Sequence, residues 1–128
     1  MHEYLDRAND EVLAIGTIEH VDALTSIADV CATPGLDLAF IGPGDLATSM
    51  GLKGQPDHPS VQNAIRQLEV EIAKSPVLLG GVAPTAEQAN QMIARGYRAL
   101  VVGFDWSLLQ RGIASVIDGV ERSPGLLG

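Results

Sequence analysis

The chain is short of cysteine, aromatics, basic residues and long apolar runs, and each shortage removes a class of protein. Cys31 is the only cysteine among 128 residues. That excludes a disulfide framework and a cysteine-based metal cluster, and a lone cysteine reads as a small buried hydrophobe. Phe, Trp and Tyr make up 4% of the chain, so the core must come from Ala, Val, Leu and Ile. Eight Lys and Arg stand against 16 Asp and Glu, a formal net charge of −8. Nucleic acid and anionic membranes attract basic patches, so neither is expected as a partner. No segment reaches the roughly 18 consecutive apolar residues of a membrane span. The N-terminal MHEYLDRANDE is polar and acidic, unlike a signal peptide, which makes the cytoplasm the expected compartment.

What remains is a globular composition, 46% hydrophobic with 14 glycines, and a length sufficient for one domain with a core. Four apolar runs stand out: VLAIGTI (12–18), LDLAFIG (36–42), VLLGGVA (77–83) and ALVVGF (99–104). Each is nearly continuous rather than alternating, as in strands buried on both faces of a parallel sheet. Between them the spacing predicts helices. Val21, Leu24, Ile27, Ala28 and Cys31 share one face over 20–32. Val61, Ile65, Leu68 and Ile72 do so over 59–75, with Pro59 suited to a first helical position. Thr85 with Gln88 makes a capping-box signature for 86–95, which stops at Gly96. Leu109, Ile113, Val116, Ile117 and Val120 line one side of 106–121. The order is β-α-β-α-β-α-β-α, with right-handed parallel crossovers expected. A small doubly wound sheet fits this order, and so do four units of an eight-unit barrel. A full barrel takes about 250 residues. The longest irregular stretch runs from Gly42 to about His58, and the tail SPGLLG reads as a frayed end.

Ligands of parallel α/β folds sit at the carboxyl ends of strands, so the polar residues following each run are the candidates. Glu19 follows the first, Gly42-Pro43-Gly44-Asp45 the second, Pro84 and Thr85 the third, and Asp105 the fourth. Neighbouring parallel strands lie about 4.8 Å apart, which lets Glu19 and Asp45 converge on one point. Two carboxylates completed by water and a chelating substrate suit a hard divalent cation. Mg2+ or Mn2+ is the natural choice, with Co2+ and Zn2+ as alternatives. The amides of Gly44 and Asp45 can also face a carboxylate or phosphate. Against this stands a plainer reading in which Glu19 and Asp45 cap the helices that follow them. Asp105 reads as an N-cap, His20 as a solvated first-turn residue, His58 as a helix-start residue and His2 as part of the terminus. No histidine has an evident Ser or Cys partner for a hydrolase triad, and the chain has neither a Walker motif nor G-x-G-x-x-G.

The segments GLDLAFIGPGDLATSMG, HPSVQNAI and GYRALVVGFDWSLLQRG resemble the second half of the HpcH/HpaI aldolase family. The likeness runs from EYLDRANDE onward, and it extends to the malyl-CoA and citrate lyase β-subunit enzymes of the same superfamily. It implies an α/β fold that is the C-terminal half of a (β/α)8 TIM barrel: four parallel βα units, residues 1–128 forming one partial domain. The implied activity is that of a class II, divalent-metal-dependent aldolase. Such an enzyme cleaves or forms 4-hydroxy-2-oxo acids, giving pyruvate and an aldehyde. By the same resemblance Glu19 and Asp45 are the metal ligands, and the amides of Gly44 and Asp45 hold the pyruvate carboxylate. Val82 shapes the aldehyde side. Thr17 stands at a substrate-facing position where many members carry glutamine. The family's catalytic histidine and substrate-binding arginine belong to the first half, so no catalytic residue is expected among these 128. The partners implied are a small 2-oxo acid and an aldehyde, in a homo-oligomer whose last helix is exchanged between neighbours. Two other functions are compatible with the sequence. One is a lyase acting on a CoA thioester, although the few Lys and Arg do not cluster. The other is a free-standing α/β module that binds a small anion or only assembles.

Overall fold

Four short strands hydrogen-bond side by side in sequence order. They are β1 (Ile15–Ile18), β2 (Leu38–Ile41), β3 (Leu78–Val82) and β4 (Tyr97–Val101), and every pairing is parallel. Five helices connect or follow them: α1 (Ala23–Cys31), α2 (Pro43–Ser49), α3 (Pro59–Ile72), α4 (Ala86–Ala94) and α5 (Asp105–Ile117). This computed structural model describes residues 7–120. His2 and the SPGLLG tail lie outside the described residues.

The expected βα rhythm is met, with shorter elements. Each strand loses its outer residues to turns, and β4 begins at Tyr97, ahead of its apolar run. It ends before Gly103, whose φ of 79° ends extended backbone. The irregular stretch expected over 42–58 is corrected: its first half is helix α2. Gly42, Pro43 and Gly44 look like turn residues, but Pro43 occupies a first helical position, where its fixed φ suits the helix and its missing N–H costs nothing.

Caps follow local chemistry. Thr85 accepts from the Gln88 amide at 3.2 Å, and Gly96 follows α4 with φ of 104°. His58 caps α3 by accepting from the Ser60 amide through Nδ1 at 3.2 Å, ahead of Pro59. Asp105 is not the N-cap expected. Phe104 holds that position, and Asp105 is the first helical residue, accepting from the Trp106 amide at 2.7 Å.

The two faces of the sheet differ. Ile18, Ala39, Ile41, Leu79 and Tyr97 point toward the helices and are buried among Ile27, Cys31, Val61, Ala64, Ile65, Leu68, Ile72 and Met92. Alternation along the strands turns Ile15, Thr17, Leu38, Phe40, Leu78, Gly80, Val82 and Val101 to the other face. Among the described residues that face carries no helix layer. Ile15 is 56% exposed, Leu78 46% and Val101 38%. Leu38 is buried there, yet it lies outside the contiguous core.

A polar contact pins the edge of the core. Tyr97 donates from its hydroxyl to Glu69 Oε1 at 2.8 Å, and Arg95 Nε donates to the same oxygen at 3.2 Å. The Arg95 guanidinium also lies over the tyrosine ring, 5.7 Å from its centroid. Burial first, and then the hydrogen bond to Glu69, push the Tyr97 hydroxyl well above the ordinary tyrosine range. Helix α5 contrasts with this. None of its residues is buried, and Trp106, Leu109 and Val116 are largely exposed. From the middle of α5, Arg111 Nη1 donates to the Pro84 carbonyl at 3.4 Å, just ahead of α4.

Candidate functional site

The carboxyl ends of β1 and β2 meet through one ladder bond, from the Gly42 amide to the Ile18 carbonyl at 3.0 Å. Glu19 follows Ile18 directly. Strand alternation puts it on the open face with Ile15 and Thr17. Gly42 gives it room: a β-carbon added there would lie 3.3 Å from Glu19 Cβ, 3.4 Å from Glu19 Oε2 and 3.9 Å from Thr17 Cγ2. The Glu19 carboxylate therefore rests over the glycine that closes β2. Asp45 lies in the first turn of α2, three residues beyond Gly42.

The capping alternative fails for Glu19. Helix α1 takes Asp22 as its N-cap, without a side-chain cap bond, and Glu19 lies outside it. His20 is exposed as expected, but it precedes α1 rather than standing in its first turn, and its Nδ1 accepts from the Asp22 amide at 3.3 Å. Asp45 lies in the first turn of α2, where the positive end of the helix favours a carboxylate, so for this residue the plainer role is met. Among the described residues neither Glu19 nor Asp45 has a hydrogen-bond or ion-pair partner, and no group of three or more His, Cys, Asp or Glu forms. Glu19 and Asp45 offer two exposed hard oxygen donors, one just after β1 and one in the first turn of the helix after β2. This fits a divalent ion that keeps water or takes up a chelating substrate.

The first-turn amides of a helix have no acceptor inside it, and with Pro43 at the start of α2 the donors are Gly44 and Asp45. Both residues are exposed. Val82 ends β3 on the open face, two strands from Glu19 and about 10 Å away by the spacing of strands. Thr17, Glu19 and Gly42 are thus in one cluster, with Gly44 and Asp45 on the adjoining turn and Val82 across β2. A separate cavity of about 280 Å³ lies between α3 and α4 on the helix side, lined in part by Pro56, Gln62, Gln88, Gln91 and Arg95. Of the residues expected at the site it takes in Val82, beside Pro43 and Pro84 from the strand ends, and it does not reach Thr17, Glu19, Gly44 or Asp45.

The profile of the HpcH/HpaI aldolase/citrate lyase family matches residues 2–111. The chain belongs to that family. Among its relatives, the 4-hydroxy-2-oxo-heptane-1,7-dioate aldolase of Salmonella typhimurium is 38% identical over 127 residues, covering 94% of this chain and 46% of the relative. The crystal structure of an HpcH/HpaI aldolase from Desulfitobacterium hafniense superposes with a TM-score of 0.85 at 27% identity, covering 99% of this chain and 49% of that one. A family protein from Burkholderia cenocepacia gives 0.83 at 33% identity, over 91% of this chain and 45% of that one. The chain spans about half the length of the curated HpcH/HpaI relatives it matches. Its four parallel βα units are correspondingly half of a (β/α)8 barrel, which explains the sheet face without a helix layer. That face is the one a barrel turns inward.

Two features escaped sequence reasoning. Ser49 links the Glu19 turn to α2, but its helical position was hidden inside a segment read as irregular. The Glu69–Tyr97–Arg95 contact joins residues 28 apart, and a Glu on one predicted helix and a Tyr beginning a strand give no local signal.

Proposed function

We propose that this chain is the metal-binding half of a class II aldolase that cleaves or forms 4-hydroxy-2-oxo acids, with pyruvate or a related 2-oxo acid and an aldehyde as partners. One observation carries the reading: the Glu19 carboxylate lies over Gly42 at the junction of β1 and β2, with the Asp45 carboxylate in the next turn and both unpaired among the described residues. Family membership and the named aldolase relatives support the reaction class.

In this reading Glu19 and Asp45 hold Mg2+ or Mn2+. The ion supplies Lewis acidity that draws electron density from the 2-oxo group. The amides of Gly44 and Asp45 receive the substrate carboxylate and fix its orientation. Thr17 lines the same face and offers a hydroxyl to the substrate. Val82, two strands away, bounds the side where the aldehyde lies and helps keep water from it. The histidine and arginine that the resemblance assigns to the other barrel half are not among these residues. The 128 residues therefore bind the ion and the 2-oxo acid but turn over weakly by themselves.

The test is Mn2+ binding by the chain, measured by the loss of the free-ion signal in electron paramagnetic resonance. Glu19→Ala and Asp45→Ala should each abolish it or weaken it by at least about tenfold, with the far-ultraviolet circular dichroism unchanged. Binding that survives intact in both variants refutes the assignment.

A further inference from the structure

The two carboxylates stand on separate elements, and the sheet ladder stops just before both. Its last rung is Gly42 to Ile18. Beyond that rung, the backbone bonds of the two segments are local: Ala23 to His20 and Leu24 to Val21 on one, Leu46 to Gly42 and Met50 to Leu46 on the other. A single hydroxyl bridges them. Ser49 Oγ accepts from the Val21 amide at 3.0 Å and donates to the Leu46 carbonyl at 2.7 Å. Val21 lies two residues after Glu19, and Leu46 directly follows Asp45. Ser49 itself is one helical turn beyond Asp45, so the two share a face of α2. Both bonds are partly buried, which limits competition from water.

We infer that Ser49 is a positioning residue that holds the Glu19 turn against the Asp45 helix and so fixes how the two carboxylates face one another. The inference rests on the metal-site reading above. Without the hydroxyl the Val21 amide loses its acceptor, and among the described residues nothing else polar ties the turn to α2 beyond the ladder. Groups that orient metal ligands without touching the ion typically account for about 10–100-fold in affinity.

The experiment titrates Mn2+ into the 128-residue chain and into its Ser49→Ala, Ser49→Thr and Ser49→Cys variants, with Glu19→Ala and Asp45→Ala alongside. Amide hydrogen exchange at Val21 is followed in the same samples. Ser49→Ala should raise the dissociation constant by about tenfold and speed exchange at Val21. Ser49→Thr, which keeps the hydroxyl, should stay within about threefold of the parent. Ser49→Cys, close in volume but a poorer hydrogen-bonding group, should also weaken binding, and it serves if Ser49→Ala does not fold. If Ser49→Ala, or Ser49→Cys in its place, binds Mn2+ like the parent while Glu19→Ala and Asp45→Ala do not bind, the role of Ser49 alone is overturned. If the parent chain does not bind Mn2+, or binds it regardless of Glu19 and Asp45, the metal reading falls and takes this inference with it.

Discussion

The two faces of the sheet are made from the same strands and have opposite roles. One is dry and packed against α1, α3 and α4, and its residues are replaceable only at a cost in stability. The other has apolar side chains in its middle and unpaired acids at its carboxyl end, and it is closed by nothing within the described residues. Adjacent glycines show the division. Gly81 faces the helices, where an added β-carbon would come within 2.8 Å of Tyr97 Cε1 and 2.9 Å of Met92 Cε. Gly80 faces the open side, where it would meet Leu38 Cδ2 at 2.7 Å and Phe40 Cδ2 at 3.0 Å. The distances are alike; the freedom of the neighbours to move is not. Stability and chemistry have been given to different sides of one β-layer.

The largest expected effect in the folded domain is on the packed side. Leu68 is fully buried in the core, and Leu68→Ala should cost roughly 2–5 kcal/mol in urea denaturation. Leu78→Ala, on the open side, should cost less than about 1 kcal/mol, because the leucine is already half in water. Equal losses would break the comparison and mean that the open face is covered in solution. The glycines give a finer test. Gly81→Ala should destabilise by roughly 1–3 kcal/mol, since the Tyr97 ring is held by its bond to Glu69 and cannot yield. Gly80→Ala should cost less, because the side chains it meets, Leu38 and Phe40, have no helix packed over them among the described residues, although the Ala99 carbonyl at 3.3 Å must give slightly. A larger loss at Gly80 than at Gly81 would reverse the assignment of faces.

The smallest effect is set by pH. The folded state keeps the Tyr97 proton to a pH well above the value of about 10 at which the unfolded chain releases it. Above that pH the unfolded state binds fewer protons than the native state, so stability falls as pH rises. The stability tied to this proton is complete below pH 10 and is lost progressively above it. Tyr97→Phe has no such proton. Its denaturation midpoint should be lower than the parent's near neutrality, and the gap should narrow between about pH 10 and 12. A gap that stays constant across that range would mean the buried hydroxyl titrates normally.

The packed face was legible in the sequence because burial leaves a periodic trace. The stripe Val61, Ile65, Leu68 and Ile72 of α3 is buried as its spacing requires, and Cys31 is buried as expected of a lone cysteine. Thr85 with Gln88 and His58 with Pro59 marked their helix starts, since caps depend on residues two or three positions apart. Glu19 and Gly42 were placed at strand ends by topology, Thr17 came only with the family resemblance, and the structure brings the three into one cluster. What could not be read depends on longer-range contacts or masked signals. Helix α2 begins with Gly-Pro-Gly, which imitates a turn, and this concealed the position of Ser49. The stripe of α5 has the same period as that of α3, yet α5 buries no residue. Periodicity reports that a helix has an apolar side and says nothing of what lies against it.

Gly103 is the one residue between β4 and α5 with a left-handed backbone angle. Helix α5 has 13 residues, a rod of about 20 Å. A rotation of about 30° at Gly103 would sweep the far end of that rod through about 10 Å, while leaving the sheet and its acids where they are. The direction in which the apolar edge of the rod is presented therefore hangs on the torsions of a single pivot. An L-residue substituted there would be strained at this left-handed angle, so it would re-aim the lever only by straining the link that carries it.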